Sequence, residues 1–431
     1  MSVDQTATLL LVGMFLGLVF LRVPMVFAIG AATLATALYL GIPLMMMTQN
    51  IMKGINVYTL LAVPFFILAG EIMGAGGISR RLIDLSSALV GWIRGGLAMV
   101  NIVASIFFGG ISGSSSADTA SIGPIMIPMM EKHGYDRDFS TCVTMASSVQ
   151  GILIPPSQNM VIFSLAAGGV SIGKLFMGGL VPGLLLALAL MILSYGYSIK
   201  RNYPVSEAFS LATAWRTFKE AIWGLITVLI VVVGVISGIF TTTESAAMAV
   251  IWAVFVTFLV YREIPLSELT DILGRTVHTI STIIILVGMS TGLGWILTYL
   301  RIPQKVSLAV FSLTGNHFLI LIMLNILLLI LGCLVDMASL ILITTPILLP
   351  IVTNLGMDPV HFGVLMVFNL GIGLLTPPVG TTLFIGCSIS KLPMEHLSRS
   401  MVPFYITMAV CLMFITFVPQ FVMTLPNLLF K

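Results

Sequence analysis

Long apolar runs separated by short polar turns fill the sequence from end to end. A helix that crosses a membrane needs roughly 20 mostly apolar residues. Ten segments fit that mould: about 5–21, 24–41, 57–75, 139–167, 175–198, 221–240, 243–261, 280–300, 361–390 and 401–425. Two further apolar stretches, 95–132 and 317–353, are each long enough for two half-length helices. Each holds a small or polar patch near its middle, "GGISGSSSADTAS" in the first and "GCLVDMAS" in the second. Such a patch predicts a re-entrant hairpin, because non-helical backbone at that depth is tolerated only where protein or a watery cavity covers it. The pattern therefore predicts an all-α polytopic membrane protein with about ten transmembrane helices and two re-entrant hairpins.

Two of the ten runs are interrupted. "GILIPPSQNM" (Gly151 to Met160) lies in a stretch without a charged side chain from Phe139 to Gly173, yet it contains two adjacent prolines. Each proline lacks an N–H and clashes with the preceding turn, so the helix must break there. The break recurs. Shifted by 222 positions, "GPIMIPMMEKHGYD" falls on "TPILLPIVTNLGMD", and "GILIPPSQN" falls on "GLLTPPVGT" (376 − 154 places Thr376 on Ile154). The hairpin tips align in this reading only with a gap of four, which pairs "ADTAS" with "VDMAS". Prolines and glycines punctuate many membrane helices, but one offset across so many of them argues for duplication. The predicted division is a first repeat over 1–200, with hairpin 95–132 and broken helix 139–167. An amphipathic surface linker follows over 201–220. A second repeat covers 221–431, with hairpin 317–353 and broken helix 361–390. Five spans and one hairpin per half is an odd count of crossings, so the copies are inverted. Inverted repeats with interrupted helices characterise secondary transporters, whose sites lie near the midplane.

A broken helix exposes N–H groups at one end and carbonyls at the other. The first attract a carboxylate; the second, with nearby hydroxyls, suit a hard cation such as Na⁺, as oxygen ligands suit Ca²⁺ and Mg²⁺. The predicted first site combines Ser112, Gly113, Ser114, Ser115, Ser116 and Asp118 with Pro155, Ser157, Gln158 and Asn159. The second combines Gly332 and Asp336 with Thr376, Pro377, Gly380, Thr381 and Thr382. Na⁺ is placed at Ser112, Ser115, Pro155 and Asn159, and at Gly332, Asp336, Thr376 and Gly380. Other readings stand beside these. The "SGSSS" run also suits close helix packing, and Asp118 and Asp336 also suit N-caps of the second hairpin legs. Glu71 and Glu244 lie near span ends, as solvated or capped surface acids do. "GGVSIGKL" lacks the hydroxyl residue and the preceding strand of a phosphate loop. The segments 204–221 and 264–275 read as amphipathic helices on the membrane surface.

Composition narrows the class. The 431 residues are 58% hydrophobic and 8% charged, far below the quarter charged of soluble domains. A net charge of +3 gives no footing for nucleic acid. The four cysteines stand singly and the five histidines form no HExxH, so no transition-metal site is predicted. The N-terminal run lacks a basic n-region and reads as a retained span. Starting outside, fourteen of the nineteen Lys and Arg fall on the cytoplasmic side and five outside, which follows the positive-inside rule. Both termini are thereby expected in the periplasm.

The stretches "LLAVPFFILAGEIM", "GSSSADTASIGPIMIPMM", "GILIPPSQNMVIFS", "SIGKLFMGGLVPG" and "FGVLMVFNLGIGLLTPPVGTTLF" resemble the large membrane subunit of tripartite ATP-independent periplasmic (TRAP) transporters, over essentially the whole chain. The resemblance implies an Na⁺-coupled importer of an organic acid in the bacterial or archaeal inner membrane, with no other cofactor, working as an elevator. It implies two partners as well, a small four-helix membrane subunit on a separate polypeptide and a periplasmic binding protein. Sodium/dicarboxylate symporters that work alone share the hairpins and broken helices. A passive channel would need an open polar path, and an enzyme would need a base beside Ser112–Ser116, where no His lies in sequence.

Overall fold

The computed structural model describes residues 3–21, 23–204 and 209–430, and among them no strand is present. The first half runs α1 (Val3–Phe20), α2 (Met25–Tyr39), α3 (Leu44–Ile55), α4 (Ala62–Ala75), α5 (Ile78–Val90), α6 (Gly96–Ser112), α7 (Ser115–Lys132), α8 (Arg137–Ser148), α9 (Gln158–Ala166) and α10 (Ile172–Lys200). The second runs α11 (Leu211–Ile236), α12 (Thr242–Val254), α13 (Glu268–Tyr299), α14 (Ile302–Leu313), α15 (His317–Leu334), α16 (Met337–Asn354), α17 (Pro359–Gly373), α18 (Thr381–Ser390), α19 (Met394–Ser400), α20 (Val402–Phe417) and α21 (Gln420–Leu429).

Among the described residues eight helical segments are long and apolar enough to cross a membrane, α4 and α12 with their flanking turns (Tyr58–Ala75 and Thr242–Tyr261), and a ninth is reached by joining α19 to α20 across a 53° bend. Six of the eight fall in the ten predicted segments and two, α15 and α16, are hairpin legs; of the remaining expected spans, 24–41 holds the shorter helix α2 and each double-proline run is two short helices. Both hairpins are present, but their legs are not half-length. At 1.5 Å per residue, 17 or 18 residues extend about 26 Å. The tips need no gap: α7 and α16 begin and end 222 positions apart (337 − 115 and 354 − 132). That register sets Ser114 opposite Asp336, the two N-caps, and leaves Asp118 opposite Leu340.

Two other expectations change. The segment 264–275 is not a separate surface helix, because α13 runs 32 residues through it. Asp271 and Arg275 end an apolar run without ending a helix. The 201–220 linker is described only in part, since 205–208 lie outside the described residues; from Leu211 the chain is already in α11, with no boundary at 220. The short helices α3 and α5 went unforeseen, because each has one apolar face and too few apolar residues for a span.

Burial separates an inner unit from an outer frame. Every residue of α17 from Val360 to Gly373 is buried, and α8 is buried from Phe139 on, whereas α1 is 11% buried. The repeats interlock in the inner unit: α9 packs on α16, and α18 packs on α7 and α8. Glycines allow this closeness. A Cβ on Gly109 would fall 2.2 Å from the Cα of Gly151, and one on Gly332 would fall 3.3 Å from the Cα of Gly373. Around the unit, α13 packs on α2, α3 and α4, and α12 on α4 and α11.

Candidate functional site

The two tips and the two breaks meet. One cavity of about 320 Å³ is lined by Ser114, Ser115, Ser116, Gln158 and Asn159 from the first repeat and by Asp336 and Thr381 from the second. Ile152 and Leu374, just before the two prolines of each break, face it as well. Its remaining wall is α13, through Thr279, Thr282, Ile283 and Leu286. A larger cleft of about 600 Å³, beside Lys53 and Gly168, contains none of the predicted residues. The smaller cavity is the candidate site because four interrupted elements converge on it.

Each tip is fastened to its own break. In the first repeat the Gln158 amide donates to the Ser112 carbonyl at 2.9 Å. The turn at Gly113 has φ +62°, and a Cβ there would lie 2.5 Å from the Pro156 carbonyl oxygen, so only glycine fits. In the second the Val379 N–H donates to the Cys333 carbonyl at 3.1 Å. Across the repeats, Ser115 and Ser116 hydroxyls lie 3.3 and 3.2 Å from the Thr382 hydroxyl. Ser115 also pairs with Ser148 at 2.6 Å.

The caps fall as follows. Ser114 caps α7 and Ser157 caps α9, each accepting a backbone N–H at 3.4 Å. Asp336 caps α16, accepting from the Ser339 N–H and hydroxyl at 3.1 Å, and still lines the cavity. Asp118 caps nothing. It stands inside α7 at 0% exposure, close behind Gly151. Its carboxylate lies beside Ser105 without a well-formed hydrogen bond, because Ser105 is turned to Ser147 at 3.0 Å.

The other predicted residues stand off the cavity wall. Ser112 lines an adjoining cavity. Pro155 and Pro377 lie within the breaks, each followed by a second proline. Gly332 is packed against Gly373. The Thr376 hydroxyl donates to the Ile372 carbonyl at 2.8 Å. Gly380 starts α18 at φ +48°, with the Thr376 carbonyl 2.9 Å from where a Cβ would be. Thr382 is fully buried, with its hydroxyl against Ser115 and Ser116 of the first tip. Of the two span-end acids, Glu244 closes a capping box with Thr241. Glu71 pairs with Arg275 at 3.2 Å.

No group of three or more His, Cys, Asp or Glu converges among the described residues. The cavity's donors are hydroxyls, amides, backbone and one carboxylate, an all-oxygen set for a hard cation with helix N-termini at hand for an anion. The α13 wall was missed from sequence. Its signal was Thr279 and Thr282 one turn apart on an apolar helix, hidden by dividing α13 at 275–280.

The profile of the family described as "Tripartite ATP-independent periplasmic transporter, DctM component" matches residues 12–421. The chain belongs to this family. Among relatives of this large permease, it is 37% identical over 415 residues to the sialic acid TRAP transporter large permease protein SiaM of Vibrio cholerae, covering 96% of this chain and 97% of that one. It is 40% identical over 411 residues to the isethionate TRAP transporter permease protein DctMQ of Oleidesulfovibrio alaskensis, covering 95% of this chain and 65% of that one. Among solved structures, the YdaH transporter of Alcanivorax borkumensis is similar at a TM-score of 0.61 and 13% identity, over 86% of each chain, a likeness of fold. As a TRAP large permease the chain is a multi-pass membrane protein of a transporter.

Proposed function

We propose that this permease imports an organic acid together with Na⁺, by an elevator motion in which the inner unit of hairpins and broken helices slides past the frame. The observation that carries this reading is the single cavity built from both tips and both breaks. Opposed helix ends let one small space hold an anion and its cation without basic side chains, which are costly there; insertion scales put a central charge at about 2.5–3.5 kcal/mol. The anion is set against the N-termini of α7, α9, α16 and α18. Na⁺ lies among the hydroxyls and carbonyls, with Asp336 at the second site and Asp118 buried behind the first.

The names of the relatives support an organic anion, since sialic acid carries a carboxylate and isethionate a sulfonate. Family membership supports the partners: a small four-helix membrane subunit against the lipid-facing frame, and a periplasmic binding protein that delivers the acid. With the termini periplasmic, the chain sits in the inner membrane.

Proteoliposomes holding the three polypeptides test the reading with labelled N-acetylneuraminate, succinate and isethionate. At least one is expected to accumulate only with an inward Na⁺ gradient and the binding protein. Accumulation that survives collapse of the Na⁺ gradient sinks the coupling.

A further inference from the structure

A second cavity, of about 280 Å³, adjoins the first and shares Ser114, Gln158 and Thr279 with it. It contains the sole Lys, Arg or His that lines either cavity among the described residues, Arg275 of α13, set against Glu71 of α4. The pair is a single contact, Arg275 Nε to Glu71 Oε2 at 3.2 Å, with both side chains a third or more exposed. A guanidinium has five N–H donors in a fork that fits a carboxylate through two of them at once. Here the hydrogen bond to Glu71 is made by Nε, and Nη1 and Nη2 donate none to it. Arg275 lies one helical turn from Thr279, whose hydroxyl donates to the Arg275 carbonyl at 3.1 Å, and Thr279 faces both cavities.

We infer that Arg275 forms an anion subsite in this adjoining cavity, where its Nη atoms take the carboxylate or sulfonate of the solute on its way to or from the tip cavity, while Glu71 competes for the guanidinium and keeps the stay short. This rests on the proposed organic-anion substrate and adds a residue on the frame rather than on the inner unit. Glu71 is a modest competitor, since exposed single-contact pairs are weak, whereas a bidentate oxyanion is held more firmly. The inner unit carries Ser112, Ser114 and Gln158 past α13 as it moves, so the solute meets a fixed cation at one stage of the cycle.

The test titrates succinate, N-acetylneuraminate and isethionate, with and without Na⁺, against the membrane complex in proteoliposomes. It compares wild type with Arg275→Gln, Arg275→Lys and Glu71→Gln. For the anion the wild type takes up, Arg275→Gln is expected to raise the half-saturating concentration about tenfold. Arg275→Lys should fall between, because it keeps charge without the fork. Glu71→Gln should shift the same quantity the other way, by about two- to fivefold. Opposite signs from the two halves of one ion pair are what a merely structural pair does not give. Half-saturation unchanged in Arg275→Gln, or raised alike in Arg275→Gln and Glu71→Gln, overturns the subsite. Loss of Na⁺ dependence in wild type, with the Arg275 shift intact, strikes the coupling alone. No uptake of any of the three anions by wild type counts against both.

Discussion

The two repeats share a backbone plan and differ in chemistry at equivalent positions. Ser114 caps α7 with a hydroxyl where Asp336 caps α16 with a carboxylate. Ser157 caps α9 with its side chain, whereas Val379 stands at the matching position (157 + 222) and α18 starts one residue later, after Gly380, with no side-chain cap. Behind the first tip lies a buried polar seam, with Ser105 on Ser147 and Asn101 on Thr144. Behind the second, Asn369 donates to Asn325, while Leu340 occupies the place of Asp118. The frame differs too: the chain breaks between α3 and α4, yet α13 crosses the equivalent stretch unbroken. Helix boundaries and glycine contacts thus make the cavity's shape, and a few substitutions at matched places divide its labour. Both repeats contribute hydroxyls to the wall; the first adds the two amides, Gln158 and Asn159, and the second adds the one carboxylate, Asp336.

The glycine contacts are where the comparison breaks most sharply. A methyl at Gly109 meets Gly151 backbone at 2.2 Å, which nothing flexible can relieve, whereas the second repeat has Leu331 at the matching position (109 + 222) and approaches Gly373 through Gly332 one residue on, where the nearest atoms to an added methyl lie at 3.3 Å. Gly109→Ala is expected to cost about 3 kcal/mol and to abolish uptake, and Gly332→Ala to cost about 1 kcal/mol or less. Thermal unfolding of the detergent-solubilised protein measures both. Equal losses at the two positions would mean the inner unit is equally adaptable in each repeat.

Next in size is the difference between the caps. Asparagine caps a helix about as well as aspartate, so Asp336→Asn removes the charge and spares α16. It is expected to raise the Na⁺ concentration for half-maximal uptake about tenfold while leaving the unfolding temperature unmoved. Ser114→Ala should do the reverse, costing about 1 kcal/mol of stability with Na⁺ dependence within about twofold. A shift of Na⁺ dependence as large in Ser114→Ala as in Asp336→Asn would erase the division of labour.

Much of this plan was legible because prolines and glycines act locally. A double proline breaks a helix whatever surrounds it, and a run of small polar residues in an apolar stretch must be covered, so both hairpins and both breaks could be placed from residues alone. What escaped depended on neighbours. The true register of the tips hangs on which residue caps, Ser114 or Asp118, and capping turns on backbone torsions rather than on residue type. The cavity wall at Thr279 and Thr282 was lost because Asp271 and Arg275 are charged, and charge alone does not end a helix whose side chains reach a polar rim. The pairing of α9 with α16 and α18 with α7 is a contact between repeats, which no pattern within one repeat reports.

The smallest expected effect lies at the loop that joins hairpin to broken helix. In the first repeat Asp136 accepts a hydrogen bond from the Tyr203 hydroxyl at 2.6 Å and pairs with Arg201. Its counterpart Asp358 caps α17 by accepting from the Val360 N–H. The Tyr203 hydrogen bond, with help from Arg201, holds the Asp136 carboxyl below its ordinary 3.8. A depressed carboxyl contributes stability that is fully present above 3.8 and fades as pH falls through the lower, folded value. The side chains are partly exposed, so the contribution is under about 1 kcal/mol. Between about pH 5 and about pH 3 the wild type should therefore lose slightly more unfolding temperature than Asp136→Asn. Tyr203→Phe should reduce that slope, because it removes the larger cause of the shift, and Asp358→Asn should leave it in place. A slope that vanishes in Asp358→Asn and persists in Asp136→Asn would transfer the acid sensitivity to the second repeat and reverse the comparison.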